Sequence, residues 1–176
     1  MRKMILNIAV LLGVAVLLGV VFPLFCTAGS DPLESKSYQI RNCKFDLLLR
    51  PENANNSDGT PIVLYPAAPW KCMTWKMSPA GDSTFHFQNH FTGKTLEGIT
   101  NQIPVAVVQI PFGRDAAKRP AWRLTRLPNG FYRIADAGTG QVLTGRGREQ
   151  VVLARWEDKQ EQQWQLIEID PATLTM

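Results

Sequence analysis

Three stretches of this chain can be laid on one another in register, and no other feature limits its fold so tightly. From Phe131 the sequence reads "FYRIADAGTGQVLTG". A shift of 47 residues lays this on "TFHFQNHFTGKTLEG" from Thr84, and a second equal shift lays it on "SYQIRNCKFDLLLRP" from Ser37. Ile40, Phe87 and Ile134 coincide, as do Asn42, Asn89 and Asp136, and then Leu49, Leu96 and Leu143. Gly93 matches Gly140. Each stretch closes on a tryptophan, Trp75, Trp122 or Trp164, and an apolar run precedes each: "PIVLYP", "VAVVQIP" and "QVVLAR". The copies cover about 37–83, 84–130 and 131–170. A unit of this length cannot bury its own apolar face, so the copies must pack on one another.

Within a copy the pattern is all β. "YQI", "FHF" and "YRI" alternate like half-buried strands. A turn rich in Gly, Asn, Asp and Thr follows, then a short leucine-bearing strand, a valine-rich strand and the tryptophan strand. Asn129-Gly130, between apolar runs, signals a hairpin. Three copies of four strands around a shared axis predict a β-trefoil, a six-stranded barrel capped by three hairpins. A three-bladed propeller is too small to be the alternative. The three tryptophans then form the bulk of the core.

Residues 1–30 are a different material from the trefoil domain expected over 31–176. Arg2 and Lys3 precede "MILNIAVLLGVAVLLGVVFPLF", and the small residues "CTAGS" follow. This is the layout of a secretory signal, with cleavage expected after Ala28 or Ser30. The apolar run is long, so an uncleaved membrane anchor helix is the competing reading. A lipid anchor on Cys26 ranks third, because Leu24 and Phe25 are bulky for a lipoprotein cleavage box. A secreted or periplasmic location is expected, or an anchored chain with its trefoil outside the cytoplasm. In such an oxidising compartment Cys43 and Cys72 are expected to pair, with two buried free thiols as the alternative.

The rest of the composition narrows function by exclusion. A formal charge of +4 over 176 residues, with acids interleaved among Arg146, Arg148 and Arg155, gives no basic block to track a phosphate backbone, so nucleic acid is not an expected partner. His86 and His90 fall on a strand and turn with no carboxylate or cysteine cluster, so no metal site is expected. The glycines of "GTGQ" and "GRGRE" open no helix, which leaves no phosphate cradle and no sign of a cofactor. The scattered acids suggest no carboxylate pair for glycoside hydrolysis, so an enzyme is not expected. Asn55-x-Ser57 is a glycosylation sequon, relevant only in a source that glycosylates.

The third copy, "YRIADAGTGQVLTGRG" through "VVLARWEDKQEQQWQL", resembles a repeat of the ricin-B-type (R-type) lectins, with their Gln-x-Trp signature at Gln162-Gln163-Trp164. The first copy shares the spacing from Tyr-Pro to Trp in "YPAAPWKCMTW". The resemblance covers residues 37 to 170 and implies binding of glycans or glycoproteins, by a chain acting alone or as the targeting or toxin-accessory part of a secreted complex. In the family a carboxylate accepts from vicinal hydroxyls, an aromatic ring stacks on the sugar, and an amide completes the polar ring. The carboxylate position falls here on Arg50, Glu97 and Thr144, the aromatic on Tyr65, Ile110 and Ala154, and the amide on Cys72, Arg119 and Glu161. The Gln of the signature falls on Met73, Pro120 and Gln162.

No copy holds the full set. The third is the expected site, with Trp156 replacing the missing ring, Glu161 accepting from hydroxyls and Gln162 orienting the amide side. Arg146 and Arg148 stand on the facing loop. Glu97 and Asn101, with Phe112, make a lesser candidate in the second copy. Tyr65 marks the first, where Arg50 would favour an acidic sugar. The competing reading is a trefoil whose sugar pockets have been lost and whose surface binds or inhibits another protein.

Overall fold

The computed structural model describes residues 35–175. The expected signal or anchor over 1–30 lies outside them. Twelve strands run in chain order: β1 (Ser37–Asn42), β2 (Leu48–Pro51), β3 (Ile62–Tyr65), β4 (Thr74–Gly81), β5 (Thr84–Asn89), β6 (Thr95–Gly98), β7 (Val105–Ile110), β8 (Trp122–Arg126), β9 (Tyr132–Asp136), β10 (Val142–Gly145), β11 (Val151–Ala154) and β12 (Gln163–Glu168). Strands β1, β4, β5, β8, β9 and β12 pair antiparallel in that order, and β12 returns to β1, so the barrel closes. The remaining six form three hairpins, β2–β3, β6–β7 and β10–β11. This is the β-trefoil that the threefold register predicts, and among the described residues there is no α-helix.

The equivalences read from the sequence are equivalences of place. Trp75, Trp122 and Trp164 are wholly buried, as are Ile40, Phe87, Ile134, Leu49, Leu96 and Leu143, and all nine belong to one cluster. Closing the sheet on itself lets every copy contribute its inward face, which no copy could cover alone.

The turn after the first strand of each copy shows why Asn or Asp and then a left-handed residue recur. Asn42, Asn89 and Asp136 each donate their backbone N–H across the turn, to Leu47, Lys94 and Gln141, at 2.8–2.9 Å. Each of their carbonyls accepts from the residue four on, Asp46, Gly93 or Gly140, whose φ values are +55°, +67° and +72°. Glycine takes that conformation freely and Asp tolerates it better than most residues. The side chains complete the turn: Asn42 Oδ1 accepts from Lys44 and Phe45, Asn89 Oδ1 from Phe91 and Thr92, and Asp136 Oδ1 from Thr139. The Asn129-Gly130 hairpin also forms, with Gly130 at φ +86°.

The expected disulfide is not present: Cys43 and Cys72 are free thiols. They stand at different junctions between copies. Cys43 follows β1, and its N–H donates to Gln163 O of the third copy at 2.9 Å. Cys72 is buried against Leu48 and Met73, and its carbonyl accepts from Asn89 of the second copy at 2.9 Å. Parity of cysteines carries no information about such placement.

Candidate functional site

The third copy builds a concavity between the tip of hairpin β10–β11 and the loop that leads into β12. Gly145, at the end of β10, lies so close to the first copy that a Cβ there would stand 3.0 Å from Leu64 and 3.2 Å from Asn42, so a larger residue would push these side chains aside for the hairpin to dock. Beyond it Arg146 is exposed. Opposite, residues 155–162 curl through a short 3-10 turn, Gln160–Gln162, before Trp164 enters the core. The resulting cleft of about 280 Å³ brings together Thr144, Arg146, Glu161 and Gln162, with Ala154, Glu157 and Lys159 on its walls.

Each of these residues has a distinct local role. Gln162 is 2% exposed and its amide is fully engaged. Nε2 donates to Arg155 O at 2.7 Å and to Thr144 Oγ1 at 3.3 Å, and Oε1 accepts from Glu157 N at 2.7 Å. It therefore clamps the loop onto the hairpin, a different role from the ligand-orienting one expected of it. Thr144 in turn donates to Val142 O at 3.0 Å. Gln163 staples the same loop from behind: Nε2 donates to Asp158 at 3.1 Å, and Oε1 accepts from Asn129 at 2.8 Å. Glu157 pairs with Lys159 at 2.6 Å, and that hydrogen bond and charge hold the carboxyl below its ordinary range and the ammonium above its own. Glu161 is half-buried and lines the cleft, while its backbone carbonyl is tied to Asn42 Nδ2 at 2.9 Å.

Trp156 stands apart from the other residues expected of this site. It is half-buried and does not line the cleft; Arg133 of β9 sits over its ring at 5.4 Å. Its chain neighbours Arg155 and Glu157 line the cleft while Trp156 does not.

In the second copy Glu97 and Asn101 are exposed and Phe112 is half-buried. The ring of Phe112 is covered, with Arg119 over its face at 4.2 Å and His86 at its edge at 6.2 Å. Arg119 is fixed there by donating to Gly113 O at 2.6 Å and Arg114 O at 3.2 Å. In the first copy Tyr65 remains 38% exposed, yet Arg50 lies over it at 3.7 Å, and Trp70 stands 6.0 Å away, tilted by 32°. An arginine on the aromatic ring thus recurs in all three copies. For Arg50 and Arg119 the signal was present at the family's carboxylate and amide positions; for Arg133, a barrel-strand residue, it was not.

The histidines serve the frame. His86 Nδ1 is 3.0 Å from Pro120 O, and His90 Nε2 is 2.7 Å from Ser37 Oγ. Burial, with the charges of Lys76 and Lys71, pushes His90 below the usual histidine range. Among the described residues no three His, Cys, Asp or Glu gather as a metal site, and no helix is long and apolar enough to cross a membrane.

No protein-family model matches the chain, and no curated protein does. Solved structures do. The designed threefold-symmetric protein ThreeFoil superposes with a TM-score of 0.69 at 21% identity, over 76% of this chain and 99% of that one. The C-half of the earthworm R-type lectin, in complex with GalNAc, gives 0.59 at 15%, over 76% and 99%. The Polyporus squamosus lectin, bound to Neu5Acα2-6Galβ1-4GlcNAc, gives 0.64 at 17%, over 77% of this chain and 49% of that one, so this chain spans about half its length. These likenesses are of fold: the chain has the β-trefoil fold that these structures share.

Proposed function

We propose that this protein is an exported glycan-binding module whose working site is the third-copy cleft. The observation that supports the reading is a half-buried carboxylate, Glu161, facing a cleft that a fully bonded glutamine holds open. An ordered cleft of this kind offers an acceptor for hydroxyls and donors from Arg146 without having to organise a loop on binding. One such site is weak, and its use as a targeting or toxin-accessory unit would draw on several contacts at once. Its action is binding, with no chemical step.

Titration of the purified protein with glycans that bind on an array tests this. Glu161→Gln should weaken binding about tenfold, as expected for loss of a charge-assisted hydrogen bond. Trp156→Ala should leave affinity within about twofold, because the ring lies outside the cleft. No binding to any glycan at high protein density would favour the second reading, a protein-binding or inhibitory trefoil. The arginines stacked on the aromatic faces speak for that reading, since they occupy surfaces on which a neutral sugar would stack.

A further inference from the structure

We infer that the first-copy concavity is a separate site for a ligand carrying one compact oxyanion, a carboxylate or a sulfate ester. Arg50 stands on β2 and is 7% exposed, so its charge has been taken out of water. A buried charge is normally matched by an opposite one. Among the described residues no carboxylate pairs with Arg50, and its Nε is buried without a hydrogen-bond partner. The guanidinium carbon lies over the Tyr65 ring, 3.7 Å from its centroid, and the group reaches the Cys72 thiol, which burial keeps protonated and therefore neutral.

A face stacked on an aromatic ring leaves the guanidinium edge for in-plane hydrogen bonds, the geometry that suits a bidentate oxyanion. Arg50 lines an open cleft of about 180 Å³. The wall opposite comes from the third copy. Arg148 is fixed there because its carbonyl accepts from Leu64 N at 3.0 Å, and its exposed side chain lines the same cleft. Glu52 and Glu149 also line it, and both are exposed. The two carboxylates formally offset the two arginines, but both stand in water while Arg50 is buried without an ion-pair partner, so the cleft suits a single compact anion at Arg50 and disfavours a polyanionic chain. Trp70, 36% exposed and 6.0 Å from Tyr65, offers an apolar face to the body of such a ligand.

For the oxyanion the inference stands without the glycan reading; for a sugar as the body of the ligand it rests on that reading. The test follows the Arg50 Nε–Hε resonance by NMR and measures affinity with three probes: sialyllactose, lactose and inorganic sulfate. Sialyllactose should bind about tenfold tighter than lactose and move the resonance, as charge-assisted hydrogen bonds imply. Arg148→Gln and Arg50→Lys should each remove most of that advantage while leaving lactose binding unchanged, and Arg148→Gln keeps the buried residue in place should Arg50→Lys unfold. A sulfate shift with neither sugar binding supports the oxyanion site and defeats the glycan reading. A resonance unmoved by both sialyllactose and sulfate overturns the site, as does a sialyllactose advantage that survives both substitutions.

Discussion

The second copy differs from the first and third in one way that runs through its whole structure. The indole N–H of Trp75 donates to Leu49 O at 3.1 Å and that of Trp164 to Leu143 O at 3.0 Å, whereas that of Trp122 is buried with no partner. The loop into Trp122 is two residues longer than its counterparts. Its 3-10 turn, Ala116–Lys118, accordingly ends two residues earlier relative to the tryptophan than Lys71–Met73 and Gln160–Gln162 do. Apolar burial tolerates the slip because it is non-directional; hydrogen bonds do not. The threefold symmetry is therefore held by the shapes of the core and lost first in its directional bonds.

The largest test of that contrast is truncation. Trp75→Ala, Trp122→Ala and Trp164→Ala should each cost about 3–5 kcal/mol by denaturant unfolding, since all three fill the same core. Equal costs would show that packing is shared evenly. The sharper test is Trp→Phe. Trp75→Phe and Trp164→Phe should cost about 1–2 kcal/mol more than Trp122→Phe, because only the first two strand a carbonyl that was bonded. No difference would mean that the missing bond in the second copy is filled by solvent.

A smaller effect concerns the junctions. Asn42 and Asn89 each send Nδ2 across to the neighbouring copy, to Glu161 O and Cys72 O, while Asp136 has no donor to send. Asn89→Ala and Asn42→Ala should cost about 1–3 kcal/mol, and Asp136→Ala about 1 kcal/mol, since it removes only the bonds within its turn. The smallest effect is in pH. His90 is held below the ordinary histidine value of 6.5 when folded, so the unfolded chain takes up the proton first. Its contribution to stability is complete above that value and is lost as pH falls from there through the lower folded value. The melting temperature should drop over that window in the parent protein and less so in His90→Gln.

The fold was legible because it is written in spacing. Trp75, Trp122, Trp164 and their matched leucines had only to fall on inward positions, and a closed threefold barrel was the arrangement that covers them. The site was half legible. Thr144, Arg146, Glu161 and Gln162 do meet, because each lies at a fixed offset from a core residue. Trp156 could not be placed by offset, since a loop outside the barrel sets its direction by local backbone turns and Arg133 then holds the ring. Glu97, Asn101 and Tyr65 sit where register put them, but spacing along the chain does not say whether a ring face is open. Gln162 was found for its position, while its work as a clamp depends on three partners that no motif specifies.

The pairing of β12 with β1, from Tyr38 against Glu168 to Asn42 against Trp164, also sets the order in which the molecule can be finished. As the chain emerges, β1 can pair with β4 and the sheet can grow through β9, yet two strand edges stay unpaired until the last forty or so residues are made, on the order of seconds of synthesis. Through that interval the nascent sheet is an open ribbon that other chains could extend. Folding of the trefoil is thus completed from the end of the chain backward to its beginning, and a product that stops short of Gln163 would have a sheet with two sticky margins rather than a smaller barrel.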